Sequence, residues 1–84
     1  MTNIGIQLTV KVKDRLGLVS EVMKILSDLN IMIYNHKADV FQDNHKRINV
    51  ATFRLNLEPL SEDNLNTLFK KFNRLKGFIS LDIL

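Results

Sequence analysis

The sequence predicts an α+β sandwich in which strand and helix segments follow one another as βαββαβ. Two stretches carry apolar residues at three- and four-residue spacing, the mark of amphipathic helices. Four further stretches alternate apolar and polar residues or are rich in β-formers, the mark of strands. At 84 residues the chain has room for one domain with one thin core.

In the first strand, Ile4, Ile6, Leu8, Val10 and Val12 alternate with Gln7, Thr9 and Lys11, which gives one apolar and one wet face. After a turn, Leu18, Val22, Ile25, Leu26 and Leu29 recur at helical spacing with Glu21, Lys24 and Asp28 between them. Asn30 follows the last periodic residue, where a left-handed cap favours glycine or asparagine, so the helix stops there. Residues Ile31 to Phe41 are rich in β-formers, but both alternating sets mix apolar and polar members. A bulge or an edge position accounts for such a strand. Gln42-Asp43-Asn44-His45-Lys46 reads as a hairpin turn, after which Ala51, Phe53, Leu55 and Leu57 face one way and Thr52, Arg54 and Asn56 the other. Pro59 breaks that strand, Ser61 suits an N-cap, and Leu65, Leu68, Phe69, Phe72 and Leu75 mark a second helix, with Gly77 placed to cap its C-terminus. In the last strand Ile79, Leu81 and Ile83 alternate with Ser80 and Asp82.

Two βαβ halves with right-handed crossovers place both helices on one face of a four-stranded antiparallel sheet, the ferredoxin-like arrangement. No linker or composition shift divides the chain, so residues 1–84 form a single domain.

Apolar residues make up 45% and charged residues 25%, ordinary for a globular domain and too apolar for a disordered tail. There is no cysteine, which excludes disulfides and thiolate metal ligands and leaves packing and self-association to supply stability. No secretory-type segment and no apolar run near the roughly 18 residues of a membrane span is present, so a cytoplasmic location without membrane contact is expected. The net charge of +3 and pI near 9.5 raise nucleic acid as a partner. Lys70, Lys71, Arg74 and Lys76 close the second helix while Glu62 and Asp63 open it, so helix electrostatics accounts for much of the basic cluster. A phosphate-facing surface is the competing reading of the same cations.

Catalytic constellations are scarce, which argues against an enzyme. His36 and His45 are the only histidines and have no carboxylate or cysteine at ligand spacing, so neither metal nor cofactor is expected. Asp14, Asp28, Asp39 and Asp43 form no paired-carboxylate motif, and Ser20 and Ser27 lie inside a helix and not on a nucleophile elbow. The RNA-recognition motif shares this element order but needs exposed aromatics on its central strands. The matching segment here runs from Arg47 to Leu55, and its one aromatic, Phe53, shares a face with Leu55 and Leu57, which places it in the core.

The turn Asp14-Arg15-Leu16-Gly17 ends the first strand and opens the first helix. Such a turn presents backbone N–H groups and a positive dipole end to a carboxylate or other anion. A purely structural reading stands beside this one: Asp14 or Arg15 flanks the helix start and Gly17 packs tightly against the sheet.

Asp14-Arg15-Leu16-Gly17-Leu18-Val19, with Asn30-Ile31 at the helix end, resembles the signature D-R-x-G-L-L, helix, N-I of the ACT domain. The resemblance runs from Ile6 to Ile83 and includes Lys76-Gly77-Phe78, similar to the G-V that opens the family's last strand. It implies a non-catalytic regulatory module that binds an amino acid between paired domains and signals to a fused enzyme, so a homodimer and a larger parent chain are expected. The ligand set it implies is Asp14, Arg15, Leu16, Gly17 and Leu18 together with Asn30 and Ile31 of the neighbouring domain. Loop N–H groups would hold the ligand carboxylate and Asn30 its amine. Within the family, the D-R-x-G-L form and the segment Leu68 to Phe78 look most like the C-terminal domain of RelA/SpoT-type (p)ppGpp synthetase/hydrolases, the GTP pyrophosphokinases. A uridylyltransferase ACT domain, a stand-alone ACT regulator, and a docking module contacting the ribosome or its RNA are the alternatives. Leu16 stands where many members have proline, and Val12 where serine-binding members have histidine, which implies a ligand other than serine. Asp82-Ile83-Leu84 stands where many stringent-response members end in arginine, which leaves the parent enzyme open.

Overall fold

The computed structural model of the chain describes residues 5–45 and 47–84. The elements are β1 (Ile6–Lys13), α1 (Leu18–Asp28), β2 (Ile33–Asp43), β3 (Ile48–Leu57), α2 (Glu62–Asn73) and β4 (Phe78–Ile83). All strand pairs are antiparallel and the sheet order is β2-β3-β1-β4. Ile4 and Lys46, assigned from sequence to the first strand and the hairpin turn, lie outside the described residues.

The core forms where the two central strands pair. Leu8, Val10 and Val12 of β1 stand opposite Leu55, Phe53 and Ala51 of β3, and all six are buried. Leu18, Val22 and Leu26 of α1 and Leu68 and Phe72 of α2 close over them. Each such side chain contributes about 1.5–3 kcal/mol by leaving water, which is enough to hold both helices on this one face. Lys11 and Arg54 point from the other face of the sheet, which neither α1 nor α2 covers.

Helix ends follow local chemistry. Ser61 accepts a hydrogen bond from the Asn64 N–H through its hydroxyl at 3.2 Å and caps α2. At the end of α1, Asn30 has φ +55°, its N–H donates to Ser27 O at 3.0 Å, and the Ile31 N–H donates to Leu26 O at 3.0 Å. These are the paired bonds of a Schellman cap, and they turn Ile31 down into the core. That cap delays β2 to Ile33, two residues later than the β-rich run begins.

Two expectations are corrected. Gly77 does not cap α2, whose last turn ends at Arg74; it is the third residue of a tight turn closed by the Phe78 N–H donating to Leu75 O at 3.0 Å. Its φ of +84° suits the corresponding position of a type II turn, and a Cβ there would lie 2.9 Å from Lys13 Cβ. Ile79 does not share a face with Leu81 and Ile83, because a bulge opposite Lys11 and Val12 makes Phe78 the partner of Val12 and Ser80 the partner of Lys11. Phe78 takes the inward place, since an inserted residue reverses the alternation.

β2 is an edge strand with a bulge between Ile33 and Asn35, the two features its mixed pattern anticipated. The Leu84 N–H donates to Gln7 O at 3.0 Å, so odd-numbered residues of β1 face β4 and even-numbered ones face β3. Carried across the registers, this leaves the backbone groups of His36, Ala38, Val40 and Gln42 on the open edge of β2. Those of Leu81 and Ile83 lie on the open edge of β4.

The Asn30 geometry gives a first prediction. Asn30→Gly is expected to leave stability within about 0.5 kcal/mol of the parent, whereas Asn30→Ala, forced into the left-handed region, costs about 1–2 kcal/mol. Urea unfolding of both variants measures the difference.

Candidate functional site

β1 ends in the core at Val12 and α1 begins in the core at Leu18, so the chain between them has to reverse within a few residues. Three contacts shape that reversal. The Asp14 N–H donates to Asn49 O at 2.8 Å, which ties the loop to the start of β3. Arg15 Nε donates to Lys76 O at 3.2 Å, and its guanidinium also forms an ion pair with Glu21. Gly17 occupies the N-cap with φ +79° and no side-chain cap. A Cβ on Gly17 would meet nothing within 4 Å, so the structural reading in which it packs tightly against the sheet is not what is found. Glycine is required here by the backbone angle alone.

The consequence is an open row of donors. The Leu18 N–H bonds to Arg15 O at 3.3 Å and the Glu21 N–H to Gly17 O at 3.0 Å. Among the described residues, the N–H groups of Arg15, Leu16, Gly17, Val19 and Ser20 have no backbone partner. They surround a shallow concavity of about 510 Å³ lined by Asp14 to Ser20. Leu16 stands at its rim, 99% exposed, while Leu18 anchors the loop in the core. Here the unpaired N–H groups and the positive end of the helix dipole coincide, an arrangement that suits an anion.

Asn30 and Ile31 lie at the opposite end of α1, about 16 Å away for an eleven-residue helix. One chain therefore does not bring the two halves of the expected ligand set together. Asn30 is exposed, whereas Ile31 is buried and its N–H is spent on the cap.

The ACT domain from the GTP pyrophosphokinase of Chlorobium tepidum matches over 99% of this chain and 100% of that one, at 17% identity and a TM-score of 0.72. The fold is that of an ACT domain. A formyltetrahydrofolate deformylase from Pseudomonas putida matches over 94% of this chain and 28% of that one, at 16% identity and a TM-score of 0.64. The C-terminal domain of the MgtC protein from Mycobacterium tuberculosis matches over 100% of this chain and 89% of that one, at 11% identity and a TM-score of 0.69. No family model matches the sequence, and no curated protein matches it either.

Within this ACT fold the sequence pointed to the loop but not to the contacts that brace it. Arg15 reads from sequence as a ligand contact or a helix flank; the structure spends its side chain on Glu21 and Lys76. An acidic residue in the first turn of α1 was the available signal, but nothing in the sequence indicated Lys76, which lies 61 residues away. Among the described residues no group of three or more His, Cys, Asp or Glu is placed to hold a metal ion.

The loop makes a specific prediction. Gly17→Ala meets no steric obstacle yet carries the strain of a left-handed backbone, so it should destabilise the chain by about 1–2 kcal/mol in urea unfolding. Gly17→Asn should cost visibly less, because asparagine tolerates that region.

Proposed function

We propose that this chain is a non-catalytic regulatory module that binds a small amino acid between two copies of itself, at the Asp14–Leu18 loop of one and Asn30–Ile31 of the other. The observation that carries this reading is the set of N–H groups of Arg15, Leu16, Gly17, Val19 and Ser20, which have no backbone partner among the described residues, in a loop braced by Arg15. Such donors suit the carboxylate of an amino acid, and the Asn30 side-chain oxygen can accept from its ammonium group. Exposed Leu16 offers apolar surface beside them, which favours an apolar or branched-chain ligand.

β2 and α1 support self-association. Arg15 and Glu21 place one flank of α1 towards the end of α2, and at about 100° per residue Val19 and Met23 fall on the opposite flank. Val19 is 55% exposed and Val40, on the open β2 edge, 57%. Antiparallel pairing of two β2 edges about a two-fold axis turns the α1 helices antiparallel. The Asn30 end of one copy then lies beside the Asp14–Leu18 loop of the other, which makes the pocket isologous and present twice.

The parent protein in this reading is a cytoplasmic (p)ppGpp synthetase/hydrolase. Its support is the D-R-x-G-L form of the loop together with the fold likeness to the ACT domain of a GTP pyrophosphokinase. Contact of such a parent with ribosomal RNA has one supporting observation, that Lys70, Lys71, Arg74 and Lys76 form no ion pair among the described residues.

Two measurements test this function. In a panel of amino acids, an apolar or branched-chain member should shift the amide resonances of Arg15 to Leu18 and of Ile31, and Asn30→Gly should abolish the shift while leaving the fold intact. A panel that moves none of these resonances refutes amino-acid sensing. Val40→Pro removes a donor only from the open edge, so in sedimentation it should lower association through β2 with little loss of stability.

A further inference from the structure

At the edge of the sheet opposite β2, a groove of about 590 Å³ runs between α2 and β4. Phe69 of α2 and Phe78, Leu81 and Ile83 of β4 border it, and none of the four is fully buried. Leu81 and Ile83 stand opposite Val10 and Leu8, so their side chains lie on the helix face, while Asp82 stands opposite Thr9 on the uncovered face. Asp82 is exposed and forms no ion pair among the described residues. The backbone groups of Leu81 and Ile83 point away from β1 and out over the edge. An apolar groove beside a free row of N–H and C=O groups is matched by another extended backbone, since a helix spends those groups on itself.

A second copy of β4 fits this edge poorly. The antiparallel register that satisfies the free groups of both strands sets Leu81 opposite Ile83, and therefore Asp82 opposite Asp82. That is the pair type whose Cα atoms lie only about 4.5 Å apart, and like charges directly opposite are destabilising. Moving the axis to Leu81 brings Ile83 opposite Ile79, whose place in the bulge breaks the ladder. The charge that disfavours a copy favours a foreign strand with a cation at the same position. We propose that the β4 edge accepts an extended segment of another protein as a fifth strand, with a lysine or arginine opposite Asp82 and an apolar residue on either side of it entering the groove. Backbone hydrogen bonds to Leu81 and Ile83 supply affinity, while Asp82 and the apolar surface beside Phe69 select the sequence. This edge takes no part in the proposed amino-acid pocket and does not depend on it.

The test titrates the 84-residue chain with a short peptide that alternates threonine and valine and carries arginine in place of its central threonine. Its valines then share one face, and its arginine lies on the other. The peptide should shift the amide resonances of Leu81 and Ile83 with a Kd on the order of 1 mM or tighter, since contacts of this small size are weak. The same peptide with glutamate at its centre should bind about fivefold more weakly. Asp82→Lys, a change at an exposed position that leaves the core untouched, should reverse that order of preference. N-methylation of the two valines beside the arginine removes the donors that face β4 and should abolish binding without altering charge. An arginine peptide that leaves Leu81 and Ile83 unmoved, or that shifts Ala38 and Val40 on the β2 edge in their place, overturns the proposal. So does equal binding of the arginine and glutamate peptides, or undiminished binding of the N-methylated one.

Discussion

Val12 and Leu18 are both buried, one at the end of a central strand and the other at the start of the helix above it, and only residues 13 to 17 connect them. That short span determines the character of the loop. The chain has to leave the sheet, reverse, and enter the helix layer before Leu18 can reach the core. It does so by placing Gly17 in the left-handed region, where the backbone can turn sharply without a side chain opposing it. A capping serine or aspartate would have satisfied a donor of the first turn. Glycine at the N-cap leaves those donors to whatever arrives, so a demand of the core produces the open N–H row.

The same end of the sheet is stiffened from a second side. The turn at Leu75–Phe78 brings Gly77 against Lys13, and Lys13 N–H donates to Gly77 O at 2.8 Å. Arg15 then reaches across to the Lys76 carbonyl, so the turn before β4 and the turn after β1 support each other. Exposed ion pairs contribute about 0–1 kcal/mol at most, so the Arg15–Glu21 pair matters for orientation more than for stability. A loop held in place before a ligand binds loses less conformational freedom on binding.

How much of this was legible in the sequence follows from how local each cause is. The strands and helices, Ser61, Asn30 and the core place of Phe53 were readable because periodicity and capping act over a few residues. The edge role of β2 was readable from what it lacked, a single apolar face. Ile79 and Gly77 were misplaced for one reason: a bulge and a tight turn are set by pairing with Lys11, Val12 and Lys13, which are distant in sequence. The D-R-x-G-L segment located the candidate loop, yet it did not show that the Arg15 side chain is held by Lys76 and Glu21, since the first of these contacts is distant in sequence. Charges at the two ends of α2 were read as dipole complements, and the helix bounds agree, with Glu62 and Asp63 in its first turn and Lys70 and Lys71 in its last.

Four strands covered on one face by two helices necessarily leave two open edges, and the two differ in kind. β2 offers four residues of free backbone and uncovered Ala38 and Val40 beside them. β4 offers fewer free backbone groups, and a bulge interrupts it. If both edges pair with copies of the same chain, each contact is isologous, and alternating them extends one sheet without closure. An open array of that kind is held in check when one edge is weaker than the other or is taken by a neighbouring domain of a fused protein. The bulge in β4 provides the first of these, since it leaves two residues of free backbone where β2 has four. In the function proposed above, the amino-acid pocket belongs to the stronger of the two edges, where a bound ligand would bridge two copies of the chain.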